Sequence, residues 1–240
     1  MKTEKISELT IKRLSIYLRC LKELADSQVV TTSSQALAER FQLNSAQIRK
    51  DLTYFGQFGE RGVGYNVDEL CNHLTQILGL ETQHRIGIVG AGRLGMALAN
   101  YIGFDPKCFK VVALFDKDNS RLGMDSRSGV YVHHVKDLKE IVSQKKIVIG
   151  VVAVPKCAAQ KVVDQLTEAG ITAILNFAPV LLNTENGIKL KTMDLAKSFE
   201  SLSYYLSNEV TGNKEAIDTF SEEKICTEDE SQLSSESEED

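Results

Sequence analysis

The stretch Arg85-Ile86-Gly87-Ile88-Val89-Gly90-Ala91-Gly92-Arg93-Leu94-Gly95 decides the fold. A short buried strand ends at Val89, and a helix begins at Arg93 and continues through the helical run Met96–Tyr101. The three glycines between them follow the spacing Gly-x-Gly-x-x-Gly. Gly90 permits a sharp turn. Gly92 lets a pyrophosphate approach the backbone. Gly95 lets the helix lie close to the strand. Amide N–H groups at the helix start then face the phosphates with the positive end of the macrodipole. Such a loop in any strand-to-helix turn also serves plain tight packing, so its surroundings matter.

Asp116 supplies the context. It ends the second strand, Phe109–Phe115, about twenty residues past the loop. A carboxylate there is placed to bind the hydroxyls of an adenosine ribose and repels a 2′-phosphate, which predicts NAD rather than NADP. Lys117 and Arg121 soften that preference, because a neighbouring cation accommodates a phosphate. A solvated acid at a strand end is the plainer reading of Asp116.

Outward from the loop, strands and helices alternate. Val130–His133 reads as a third strand, Lys145–Val154 as a fourth that is apolar on both faces, and Ile171–Phe177 as a fifth. A helix, Ala158–Ala169, stops at Gly170, and a last helix spans about Leu195–Leu206. Val154 and Pro155 close the fourth strand and join the expected cofactor-binding set. The alternation predicts an α/β fold with a parallel sheet, wound right-handedly and covered by helices on both faces.

The first eighty residues have a different texture. Ile11, Leu14, Leu18 and Leu21 recur at helical spacing, widened by Tyr17 and Leu24, and predict a long amphipathic helix ending near Asp26. Thr32 with Gln35, and Asn44 with Gln47, read as capping boxes that open two further helices joined by Gln42-Leu43. Two helices on so short a turn make a helix-turn-helix. With Ile48, Leu52 and Phe55 facing inward, the open face of the second carries Gln47, Arg49, Lys50 and Tyr54. Gln47 suits adenine edges, while Arg49 and Lys50 suit guanine or phosphate. Gly56, Gly59, Gly62 and Gly64 punctuate short aromatic stretches as a tight β-hairpin would, a wing with Arg61 at its tip. Ser45, Gln47, Arg49, Lys50, Tyr54 and Arg61 form the expected DNA-facing set. A helix over about Val67–Leu80 links the two parts. An ordinary solvated basic face is the alternative to DNA contact.

Composition sets the outer limits. The 240 residues are 42% hydrophobic and 25% charged, a globular balance. The longest apolar run, Ile147–Val154, is far below the ~20 residues of a membrane helix. The polar start Met1–Lys5 predicts no signal peptide. Five scattered cysteines, without a Cys-x-x-Cys, fit a reducing cytoplasm and argue against zinc. Charge is unevenly spread: residues 1–80 carry net +1, residues 81–210 net +3 and residues 211–240 net −9. The net charge of −5 is therefore terminal, in a tail expected to be disordered and solubilising, while the body suits an anionic partner. The expected divisions are a DNA-binding part with its linker helix over 1–80, a dinucleotide domain over 81–192, a last helix over 193–210 and the tail over 211–240.

Chemistry-bearing clusters are scarce. The four histidines, 73, 84, 133 and 134, show no enzyme-like arrangement, and no metal spacing or nucleophile elbow occurs. Between Gly90 and Val210 there is room for little beyond the dinucleotide fold, so the dinucleotide is read rather than used. A dehydrogenase, a domain for coenzyme A or another nucleotide, and a structural winged-helix protein remain the competing readings.

The ordered motifs resemble a family. Ser45–Gly56, Phe58–Tyr65, Gly90–Gly95, Asn100–Phe104, Ile174–Val180 and Asp194-Leu195-Ala196 are similar to the signatures of the redox-sensing transcriptional repressors called Rex. The resemblance covers about residues 5–208. It implies a homodimer that binds a palindromic operator when NADH is scarce and releases it when NADH rises. It implies that Gly90, Ala91, Gly92, Arg93, Leu94 and Gly95 bind pyrophosphate, and that Asp116 with Lys117 binds the adenosine ribose. It puts Tyr101, Phe177, Ala178 and Pro179 near the nicotinamide. It pairs Arg19 with Asp194 of the partner subunit, whose last helix is exchanged across the dimer. Ile102 departs from the family pattern, which favours proline there, and the acidic tail lies outside it.

Overall fold

The computed structural model describes residues 6–60 and 62–210. The expectations for Arg61 and for the tail over 211–240 lie outside the described residues.

Helix α1 (Glu8–Asp26) begins at Ser7, whose hydroxyl accepts the Thr10 N–H. Its inward stripe is Leu14, Tyr17, Leu18, Leu21 and Leu24, whereas Ile11 is exposed. Strand β1 (Thr31–Thr32) leads into α2 (Ser34–Phe41). The cap of α2 is Ser33, which accepts the Ala36 N–H; Thr32 is taken by the strand, so the capping box expected there does not form. Gln42 turns the chain with φ of 55° into α3 (Ser45–Thr53), capped by Asn44 through the Ala46 and Gln47 N–H groups. Strand β2 (Tyr65–Asn66) pairs antiparallel with β1 and runs into α4 (Val67–Ile77). Among the described residues the expected hairpin is reduced to the bridge Glu60–Gly64. The glycine-rich stretch closes on itself through reciprocal backbone bonds of 3.0 Å, and its return limb pairs with β1 instead. Leu14, Leu18, Leu21, Leu37, Ile48, Leu52, Leu70 and Leu74 build one core from α1 to α4.

The second half holds six parallel strands in the order β5-β4-β3-β6-β7-β8. They are β3 (His84–Val89), β4 (Phe109–Asp116), β5 (Val132–His134), β6 (Ile149–Val152), β7 (Ala173–Asn176) and β8 (Lys189–Thr192). Helices α5 (Arg93–Ala99), α6 (Leu138–Gln144) and α7 (Lys156–Glu168) cover them. Two apolar cores sandwich the sheet, one around Phe115, Val152, Val163 and Leu166, the other around Ile88, Leu114, Val132 and Val151. This strand order reverses direction between β3 and β6, and ligands of such sheets sit at that switch point, beyond the strand C-termini. The sequence pattern anticipated neither α6 nor β8. Helix α8 (Leu195–Val210) ends the described chain.

Candidate functional site: a dinucleotide crevice and a DNA-facing helix

The glycine loop is a fitted backbone. Gly90 has φ of +105°, a region that favours glycine, and its N–H donates to the Phe115 carbonyl at 2.7 Å. A side chain at Gly90 would run into the Ala153 carbonyl, and one at Gly95 into the carbonyl of Gly90. Gly92 differs. The nearest atom to a side chain added there is Nη1 of Arg121, at 3.6 Å, an ordinary contact. The outer glycines therefore weld β3, β6 and α5 together, while the middle one leaves the backbone approachable. That combination fits a pyrophosphate. Arg93 and Leu94 are exposed, and Ala91 and Gly95 are buried.

Asp116 is buried and spends its oxygens locally. Oδ2 accepts the Ala91 N–H at 2.8 Å and Arg121 Nη1 at 2.9 Å; Oδ1 accepts the Asp118 N–H at 3.0 Å. Burial opposes the charged form. The Asp118 and Ala91 N–H groups and the Arg121 guanidinium outweigh it and hold the carboxyl below its ordinary range. Arg121 thus spans the acid and the approachable glycine, a bridge that sequence reading treated only as a modifier of preference. Lys117 and Pro155 are exposed and Val154 is half-buried. Tyr101 is 57% exposed and lies edge-on to Phe104, with ring centroids 5.0 Å apart.

At the end of β7 the turn Phe177-Ala178-Pro179 is shaped by Asn176, which is fully buried. Its Oδ1 accepts the Ala178 N–H at 2.8 Å, and its Nδ2 donates to the Ala178 carbonyl at 2.9 Å and to Thr192 Oγ1 at 3.3 Å. Asp194 caps α8 by accepting the Ala196 N–H at 3.0 Å. Within this chain Arg19 is exposed on α1.

On α3, Arg49, Lys50 and Tyr54 are exposed and Ser45 is half-buried. Gln47 is half-buried too, because its Nε2 donates to Asp51 at 2.9 Å. Asp51 is 1% exposed and is a hub: Arg13 grips both of its oxygens, at 2.6 and 2.8 Å, and the Tyr17 hydroxyl donates at 2.9 Å. Burial and the bond to Asp51 together push the Tyr17 phenol well above its usual range. Arg49 also donates to Ser34 Oγ at 2.9 Å, which ties α3 to α2. Sequence reading missed the hub. Its signal is an acid three residues past Ile48, on the inward face of α3.

Two family models match separate parts of the chain. A family model described as a putative DNA-binding protein N-terminus matches residues 5–53, and one described as a CoA binding domain matches residues 81–180. A redox-sensing transcriptional repressor Rex of Pelotomaculum thermopropionicum is 44% identical over 86% of this chain and 96% of its own length. The Rex of Desulfitobacterium hafniense is 45% identical over 85% of this chain and 97% of its own. Among solved structures, RSP in complex with β-NAD⁺ and operator DNA superposes with a TM-score of 0.82 at 38% identity, covering 88% of this chain and all of RSP. RSP in complex with β-NADH gives 0.78 at the same identity, over 88% of this chain and 99% of RSP. At these identities, sustained over nearly the full length of the relatives, the chain belongs to the Rex family of redox-sensing transcriptional repressors.

Proposed function

We propose that this chain is a DNA-binding repressor that senses the ratio of NADH to NAD⁺ and releases its operator when NADH binds. The observation that carries the reading is the union, in one chain, of a helix-turn-helix with an exposed Arg49-Lys50 face and a six-stranded dinucleotide fold with an approachable Gly92. Relatives named as redox-sensing repressors, and a family member seen with operator DNA, support it. It acts as a regulator and not as an enzyme, dividing at about residues 80 and 192 into DNA-binding part, dinucleotide domain and last helix. No helix among the described residues is long and apolar enough to cross a membrane, and Cys20, Cys71, Cys108 and Cys157 are free thiols. Both fit a repressor in the cytoplasm.

The residue roles follow. Backbone N–H groups over Gly90–Gly95 hold pyrophosphate, and Asp116 with Lys117 holds the adenosine ribose, with Arg121 exchanging from Asp116 toward the incoming phosphates. Val154, Pro155, Tyr101 and Phe177-Ala178-Pro179 enclose the nicotinamide. The oxidised ring is cationic and planar; the reduced ring is neutral and able to pucker. A ligand shifts a conformational equilibrium only by its differential affinity for the two states. In this reading the protein is a homodimer, which is supported by an apolar face of α8, Leu195, Phe199, Leu202 and Leu206, that is 57–70% exposed in the single chain. With NADH bound, the dimer closes and its two recognition helices lose the half-site spacing of a palindrome. Tyr101, and Arg19 paired with Asp194 of the partner subunit, pass ring state to domain angle. On DNA, Ser45, Arg49, Lys50, Tyr54 and Arg61 form the contact set, while Gln47 is held back by its bond to Asp51.

The test is a gel shift on a palindromic operator with NADH titrated against NAD⁺. NADH should release the operator at concentrations where NAD⁺ does not; equal retention with both coenzymes refutes the reading. Incubation with NADH and candidate carbonyls separates the dehydrogenase alternative, which requires loss of NADH absorbance.

A further inference from the structure

We propose that Asn176 is a positioning residue that transmits the state of the nicotinamide-side turn to the start of α8, and that its bond to Thr192 is the link. The inference rests on the NADH-sensing function proposed above and adds a part to it. Asn176 is the last residue of β7 and is completely buried. A primary amide has one acceptor oxygen and two N–H donors, and here each is spent. The oxygen and one N–H close a double hydrogen bond with the Ala178 backbone, which fixes the turn Phe177-Ala178-Pro179. The other N–H crosses to Thr192 Oγ1 on the neighbouring strand. The Asn176 carbonyl also accepts the Met193 N–H at 2.8 Å. Asp194, the cap of α8, comes next in the chain.

This geometry leaves the turn little freedom to move alone. A shift of Ala178 drags the Asn176 amide. The amide then either carries Thr192 and Met193 with it, or leaves a buried N–H without an acceptor, which is costly. Either outcome is felt at Asp194. A hydrophobic or charged residue at position 176 would lack this three-way valence. Thr192 itself is exposed, so its hydroxyl has no packing duty that would explain the bond.

The experiment measures operator affinity with and without NADH on the full chain, for wild type, Thr192→Val and Thr192→Ser. Valine keeps the shape and removes the acceptor; serine keeps the acceptor. The ratio of the two affinities is the coupling factor, and linkage requires the same factor for NADH binding to free and operator-bound protein. Thr192→Val should lower that factor at least about threefold, with NADH affinity of the free protein and operator affinity without NADH each kept within about twofold. Thr192→Ser should restore it. A residue serving only stability would shift thermal unfolding and leave the ratio alone. The proposal is overturned if Thr192→Val keeps the wild-type factor, or if Thr192→Ser loses as much as valine does. A wild-type chain whose operator affinity ignores NADH overturns instead the function on which the inference rests.

Discussion

The two halves of the molecule build their functional surfaces in opposite ways. In the dinucleotide half the working surface is backbone, and side chains are kept out of it by glycine. In the DNA-binding half the candidate surface is side chains of α3, a helix tied to α1 by the buried carboxylate of Asp51. The halves share no core residue, and the ion pairs between them, Glu8–Lys191 and Lys22–Asp105, are exposed. Exposed pairs contribute about 0–1 kcal/mol each. The difference teaches that each half is breakable without the other. If the chain pairs as proposed, communication between the halves runs through subunit geometry and through the chain beside the sheet, where Asp194 begins the last helix.

Gly90→Val should break the dinucleotide half most completely. The positive φ strains any β-branched residue, and the added atoms meet the Ala153 carbonyl on the neighbouring strand. Strain of this kind costs about 1–3 kcal/mol, and the collision adds to it, so NADH affinity should fall about a hundredfold or more. Operator affinity without coenzyme should stay within about threefold. Titration of NADH by its fluorescence, beside a gel shift, checks both. Loss of operator binding as well would show that the halves are not separable.

The reciprocal test is Asp51→Ala. It removes the carboxylate to which Arg13, Tyr17 and Gln47 all donate, and breaking a buried pair in this way costs about 3–5 kcal/mol. Operator binding should be lost and the DNA-binding half should melt early. The second half should keep its NADH-induced thermal shift. A single cooperative transition that moves as a whole would contradict the separation.

Legibility in sequence follows the same contrast. The glycine loop was readable because backbone geometry admits few residues besides glycine at Gly90 and Gly95, and the constraint is local. The Asp51 hub was not, because its cation lies 38 residues away on α1 and nothing local links the two. Asn176 was hidden likewise, its purpose visible only once β8 lies beside β7. Strand β8 has one half-buried position in four and no alternation to read, and α6, with seven residues, is too short for helical periodicity. The glycines signal the tight antiparallel turn closed by Glu60 and Gly64, but they do not say that the return limb goes on to pair with β1. Spacing alone puts Gln47 on the open face, whereas the structure turns its amide inward to Asp51.

Asp116→Asn sharpens the contrast inside the pocket, because here a side chain does matter. If Asp116 holds the ribose as proposed, loss of that charge-assisted bond should weaken NADH about tenfold. NADPH should lose less, since Arg121 stays and the carboxylate that repels the 2′-phosphate is gone. The acid response gives a second readout. The folded-state pKa of Asp116 lies below its unfolded value, so its contribution to stability is present above the unfolded pKa and is lost as pH falls through the lowered one. The asparagine variant lacks that contribution at every pH. It should melt below wild type near neutrality, and the gap should close as acid protonates the wild-type carboxyl. A gap that stays constant down the acid limb of a melting series would show that Asp116 does not titrate as its partners require.

Lys50→Ala carries the smallest expected effect and tests whether the exposed face of α3 touches DNA at all. Lys50 is exposed, and none of the polar bonds that hold α3 to α1 and α2 passes through it, so its removal should leave the fold alone. If Lys50 grips a phosphate, removing that grip at each recognition helix weakens binding a few-fold, evenly across operator sequences. It also lowers the slope of log affinity against log salt by about 1 for each phosphate released. A base contact behaves differently: affinity falls and the preference at one operator position relaxes, with little change in slope. Measuring binding at several salt concentrations on two operator variants separates the cases. If affinity, slope and preference all stay at the wild-type values, the result counts against α3 as the helix that meets DNA.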